Sequence, residues 1–238
     1  MGAEAHLTHM AHKIGFMQGR LSPIVDGKIQ SFPWTHWREE FSLGSTAGWR
    51  LIEWTLDDER LWENPYMTES GRAEVVARAE QTGLSVASLT ADCFMQAPFF
   101  KATGNERDRR LRDLFGLIDA SIALRVPIVV LPIVDDGALT SESEQEDLVE
   151  VLGRMTDALV AGGVVVAFES DLPPQAVSDL VGRFDAEAFG VNYDTGNSAS
   201  LGYDAGEEFD AFGSRIVNVH LKDRSLGGPT VALGEGGV

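Results

Sequence analysis

Short apolar runs alternate along the chain with amphipathic stretches. Seven runs read as strands, at residues 14–17, 51–55, 85–90, 128–133, 164–168, 190–193 and 216–221. The fourth and fifth, IVVLPI and VVVAF, are almost wholly apolar. A strand with one wet face would alternate, so these runs predict a sheet covered on both faces. Between them lie helical patterns. Leu111, Leu114, Ile118 and Ile122 form one stripe in the segment 106–124, and Leu148, Leu152, Met155 and Leu159 form another in 143–161. Segment 69–82 reads as a helix stopped by Gly83. Shorter helices are predicted at 175–183 and 207–212, and one more within 33–47. Strict strand–helix alternation means parallel strands with crossover helices. The choice lies between an open doubly wound sheet and a (β/α)8 TIM barrel. A doubly wound nucleotide binder carries G-x-G-x-x-G after its first strand, whereas this chain has GFMQGRLSP there, which favours the barrel. Seven strands leave an eight-stranded barrel one β/α unit short, roughly 35–45 residues. A disordered lead-in over residues 1–12 and one barrel domain over 13–238 are expected.

Composition narrows the partners. Of 238 residues, 44% are hydrophobic and 24% charged, as in ordinary globular domains. The formal net charge is −18, which repels polyanions and anionic membranes, so neither nucleic acid nor membrane is an expected partner. No apolar run approaches the length of a membrane span, and the N-terminal residues lack a secretory pattern, which predicts a cytoplasmic location. The single cysteine, Cys93, excludes an internal disulfide framework and a Cys-based zinc cluster. His6, His9 and His12 crowd the N-terminus and read as surface residues.

Barrel enzymes gather their chemistry at the C-terminal ends of the strands. VVVAFES ends in Glu169, GVNYDTGN in Asp194, and IVNVHLKD carries His220. Gaps of 25 and 26 residues separate the three, each about one β/α unit. Two carboxylates and an imidazole on one rim suit a divalent cation such as Mn²⁺, Zn²⁺, Co²⁺ or Mg²⁺. Each residue also has a plainer role: Asp194 as a turn cap, His220 as a hydrogen-bonded core residue. Other strand ends supply Gln18, Arg20, Glu53, Asp92, Lys222 and Asp223. Arg20 and Lys222 suit a phosphate or carboxylate on a ligand, or rim ion pairs. Trp34, Trp37, Phe94 and Phe99 lie near the rim, as pocket wall or as packing. The LGEG turn around Glu235 reads as a loop that turns the chain.

The pieces KIGFMQGRLSP, LIEWTLDD, VAFESD, GVNYDTGNSASLG, VNVHLKDR and VALGEGGV, in that order, resemble the xylose isomerase-like TIM barrels, a superfamily of sugar-phosphate isomerases and epimerases that also includes endonuclease IV. The nuclease's histidine three residues after the DT aspartate is replaced here by Asn197, so the resemblance lies with the isomerases. It implies one divalent metal held by Glu169, Asp194 and His220, with a fourth ligand from an eighth strand that has no counterpart up to Val238. It further implies Glu169 and Lys222 as catalytic residues, Glu169 being both ligand and acid/base. The substrate side would comprise Gln18, Arg20, Glu53, Asp92, Asn197 and Lys222.

The expected activity is therefore metal-dependent isomerisation or epimerisation of a sugar or sugar phosphate, by proton transfer through an enediolate. A non-catalytic barrel that binds a small polyol or a protein partner, and a related dehydratase or lyase, are the alternatives. The unpaired edges of strands one and seven predict a homo-oligomer.

Overall fold

A computed structural model of the chain describes residues 14–24, 27 and 30–238. The lead-in expected over 1–12, with its three histidines, lies outside the described residues. Seven parallel strands form one sheet in simple sequence order, curled into a half-barrel. They are β1 (Gly15–Met17), β2 (Leu51–Thr55), β3 (Ser85–Thr90), β4 (Ile128–Ile133), β5 (Val165–Ser170), β6 (Phe189–Asp194) and β7 (Ile216–His220). Sequential neighbours joined by helical crossovers are what parallel β/α units produce.

Among the described residues nine α-helices connect and follow them: α1 (Trp37–Thr46), α2 (Glu69–Thr82), α3 (Asp92–Gln96), α4 (Gly104–Leu124), α5 (Glu142–Gly153), α6 (Thr156–Gly162), α7 (Pro174–Val181), α8 (Thr195–Leu201) and α9 (Ala205–Phe212). Gly83 ends α2 at φ +70°, a conformation that costs other residues about 1–2 kcal/mol. The single helix expected over 143–161 is two, α5 and α6, broken at Arg154 and Met155. The chain re-enters helix at Thr156, so Met155 and Leu159 still reach the core. Two short helices, α3 and α8, were not expected from the sequence, because ADCFMQ and DTGNSAS read as loops. After β7 comes a small antiparallel hairpin, β8 (Asp223–Arg224) with β9 (Thr230–Val231). None of the described helices is long and apolar enough to cross a membrane.

Strand residues alternate between two environments. Ile52 and Trp54 of β2 pack outward into an aromatic cluster with Phe32, Trp37, Phe41 and Tyr66. Phe168 of β5 stacks on Phe189, 6.0 Å between centroids, beside Phe184. Trp37, Phe94 and Phe99 are buried packing, which decides their role against a pocket wall. Trp34 lies under the Arg60 guanidinium, 4.0 Å from its ring centroid. The opposite set of strand positions is polar: Glu53, Ser88, Thr90, Glu169, Asn192, Asp194, Asn218 and His220, joined to one another by hydrogen bonds. The inside of the curl thus carries a polar network beside Val130, Pro132 and Ala167 of β4 and β5, and the outside is the apolar core beneath the helices.

Among the described residues β4 and β5 are covered on both faces, and β7 is less so. Val217 and Val219 are 40% and 45% exposed, and Leu221 beyond them 66%. The run is apolar but alternating, since Asn218 and His220 turn inward between the valines.

Candidate metal centre

Strand register sets the site. Glu169 lies within β5, paired with Pro132 of β4, and Asp194 is the last residue of β6, paired with His220 of β7. Both acidic residues were expected just beyond their strands; the ladder extends to include them, which fixes their backbone. Side chains two residues back share their face. Asn192 and Asn218 therefore join the acids and the histidine.

Glu169, Asp194 and His220 each offer one ligand atom, and these three atoms lie within 4.8 Å of one another. The His220 Nδ1 atom is 3.0 Å from Glu169 Oε2 and 3.8 Å from Asp194 Oδ2. Asn192 Nδ2 donates to Glu169 Oε2 at 2.8 Å, and Asn197 Nδ2 donates to Glu169 Oε1 at 2.8 Å. Asp194 has two roles at once. Its Oδ1 accepts from the Asn197 backbone N–H at 2.8 Å and caps α8, while Oδ2 faces His220 and takes the Lys222 ammonium at 2.8 Å. Cap and site residue, which compete when read from sequence, coexist in one carboxylate. The Lys222 segment comes this close because residue 196 is glycine. A Cβ there would lie 2.5 Å from Lys222 Cγ and 3.1 Å from its carbonyl oxygen.

The electrostatics favour a cation. His220 sits among three carboxylates, with Glu53 on its far side at 2.7 Å. Burial alone would depress the imidazole. The charge of Glu53, the nearby carboxylates of Asp194 and Glu169 and the hydrogen bond to Glu53 outweigh it, and His220 is raised well above the usual histidine range. Burial pushes the Asp194 carboxyl up, but the neighbouring His220 imidazole and the Lys222 charge carry it below the ordinary value. Burial likewise opposes ionisation of Glu53, yet the His220 charge and the hydrogen bonds from His220, Ser88 and Thr90 bring it down to about 2. One nitrogen and two carboxylate oxygens among anionic groups could hold a divalent cation.

The remaining expected residues divide. Asp92 is 2% exposed, accepts from Gln30 Nε2 at 2.6 Å, and feels the charges of Asp57, Glu169 and Glu53. Burial, reinforced by those like charges, pushes its carboxyl up to about 8. Arg20 lies close enough to Asp92 for that charge to act on it. Gln18 is fully buried, its Oε1 accepting from the Thr55 backbone N–H at 3.3 Å. The Gln18 Nε2 group has no partner among the described residues. The loop that carries Gln18 and Arg20 is held by buried Glu40, which accepts from the Gly19 and Leu21 backbone N–H groups, each at 3.0 Å on Oε1. Asp223 is turned away from the site. It accepts from the backbone N–H groups of Gly234, Gly236 and Val238 and closes the LGEG turn, whose Glu235 is exposed.

Sequence reasoning missed Asn192, Asn218 and Arg224. The first two carry a readable signal, standing two positions before Asp194 and His220 on strands of period two. Arg224 donates to Asn197 Oδ1 at 3.0 Å and is steadied by the Gly228 carbonyl. Its place follows from the β8–β9 hairpin and had no local signal.

A half-barrel of parallel β/α units with a Glu–Asp–His cluster at the strand ends defines a class, and comparison with known proteins agrees. The sequence pattern of the xylose isomerase-like TIM barrel matches residues 41–238, and the chain belongs to that family. Solved structures with the same fold include an IOLI protein with a binding zinc atom, at 17% identity and a TM-score of 0.68, covering 94% of this chain and 81% of that one. A xylose isomerase-like TIM barrel protein from Mycobacterium smegmatis in complex with magnesium aligns at 16% identity and TM-score 0.66, covering 94% and 82%. The D-psicose 3-epimerase of Clostridium cellulolyticum H10 with D-tagatose aligns at 14% identity and TM-score 0.65, covering 89% and 73%. No curated protein matches the chain in sequence.

Proposed function

We propose that the chain is a divalent-metal-dependent isomerase or epimerase of a sugar or sugar phosphate. The observation that carries this reading is the convergence of Glu169, Asp194 and His220 within 4.8 Å, on the strand ends of a fold shared with a sugar epimerase. These three residues would hold the ion. A bound divalent cation supplies stabilisation of the negative charge that develops on adjacent carbonyl and hydroxyl oxygens.

The chain's own groups do the rest. Glu169 removes the carbon-bound proton next to the carbonyl, its carboxylate aimed by the Asn192 and Asn197 amides. Lys222, tethered to Asp194, stabilises the oxygen that gains charge, and donates to it. Asp92 retains a proton near neutrality and can return one to the substrate. Arg20 and the Gln18 Nε2 group, which has no partner among the described residues, are the substrate's polar contacts. The substrate is a small carbohydrate, and the buried free Cys93 fits a cytoplasmic setting.

The test is proton exchange. The protein is loaded with Mn²⁺ or Co²⁺ and incubated in D₂O with ketohexoses, pentoses and their phosphates, and products are read by NMR. Deuterium at the carbon beside the carbonyl, lost in Glu169→Gln, is expected. Absence of exchange from every substrate by metal-loaded protein would overturn the reading. Loss of water instead of isomerisation would assign the same site to dehydration.

A further inference from the structure

The Glu53 carboxylate is 8% exposed and spans the inside of the curl from β2 to β7. Its Oε1 accepts from Thr90 Oγ1 and faces His220 Nε2 at 2.7 Å. Its Oε2 accepts from Ser88 Oγ at 2.6 Å and from Asn218 Nδ2 at 3.2 Å. Four donors occupy the lone pairs of two oxygens, leaving little capacity for a sugar hydroxyl. That argues against the substrate contact expected of Glu53 from the sequence.

The same geometry gives Glu53 another task. The His220 ring has two nitrogens, and only Nδ1 faces Glu169 and Asp194. The other is closed off by Glu53. An imidazole whose Nε2–H is donated to a carboxylate presents its Nδ1 lone pair and is made more basic. We propose that Glu53 is a positioning residue that fixes the Nε2–H tautomer and the ring orientation of His220, so that Nδ1 is the nitrogen offered to the cation. This rests on the reading of the site as a metal centre. A merely structural link between β2 and β7 would hold the strands together and leave the choice of nitrogen and the metal affinity unaffected.

Two measurements separate these roles. In the Zn²⁺-loaded, ¹⁵N-histidine-labelled wild-type chain, long-range ¹H–¹⁵N correlation is expected to show His220 protonated at Nε2 and coordinated through Nδ1. Co²⁺ titration followed by visible absorption is expected to show Glu53→Gln binding 10–100-fold more weakly than wild type, the range typical of lost outer partners, with unchanged stoichiometry. Coordination through Nε2 overturns the proposal without needing a variant that folds. A Glu53→Gln affinity within twofold of wild type overturns it while leaving the metal centre intact. Failure of the folded wild-type chain to take up Co²⁺ or Zn²⁺ overturns the metal centre, and this inference with it.

Discussion

Replacing Asp92 by Asn should change how stability depends on pH. An ordinary aspartate titrates near 3.8, whereas burial beside Asp57, Glu169 and Glu53 pushes Asp92 up to about 8. Between those values the unfolded chain has lost a proton that the folded protein keeps. A group whose folded value is raised contributes stability at low pH and loses it as pH climbs towards the folded value. Each pH unit in that window is worth about 1.4 kcal/mol. Between pH 5 and pH 7.5 the residue therefore removes about 3 kcal/mol from the wild type. At 2% exposure, solvent screens little of this. Asparagine keeps an oxygen for the Gln30 amide, 2.6 Å away, and does not ionise. Other titrating groups, His220 among them, contribute to both proteins and cancel in the difference. Urea unfolding of chelator-treated protein, followed by tryptophan fluorescence at pH 5, 6, 7 and 7.5, measures it. The stability of Asp92→Asn minus that of wild type should climb steadily by about 3 kcal/mol across the series. A difference constant within about 0.5 kcal/mol would show that Asp92 ionises normally, and the buried-acid reasoning would be refuted.

Two other expectations concern the site and its supports. Saturating Co²⁺ at 100 times its Kd should stabilise the wild type by about 2.7 kcal/mol. Asp194→Asn keeps an oxygen to cap α8 and should lose most of that gain; equal melting shifts in the two proteins would remove Asp194 from the ligand set. Glu40→Ala leaves the Gly19 and Leu21 N–H groups without their acceptor and should cost about 1–3 kcal/mol in urea unfolding. An effect below about 0.5 kcal/mol would mean that water replaces the carboxylate.

The β/α rhythm was legible because β4 and β5 are unbroken apolar runs, and continuous burial is written in composition. The end of β7 was less so. Val217, Val219 and Leu221 look like core, and only the sheet's geometry reveals that nothing among the described residues covers them. The break between α5 and α6 was hidden because the apolar stripe continues through it. At the site, Glu169, Asp194 and His220 could be found because one β/α unit separates each pair, so spacing alone puts them on adjacent strands. Glu53 was legible as a strand residue but its contact with His220 was not, since that partner lies 167 positions away and the contact depends on how far the sheet curls. The turn of Asp223 away from the site had no local signal. Asp223 follows HLK as a rim residue would, but the chain has already turned into β8.

That 167-residue separation also dictates an order of events when the chain acquires its structure. Closing so long a loop carries a large entropic cost, which is recovered only once the intervening strands are in place. The imidazole cannot meet its distant carboxylate before β3 to β6 have paired. A chain still emerging from synthesis would thus pass through most of its assembly with two clustered acids and no histidine, and capture of an ion would mark completion of the sheet rather than nucleate it.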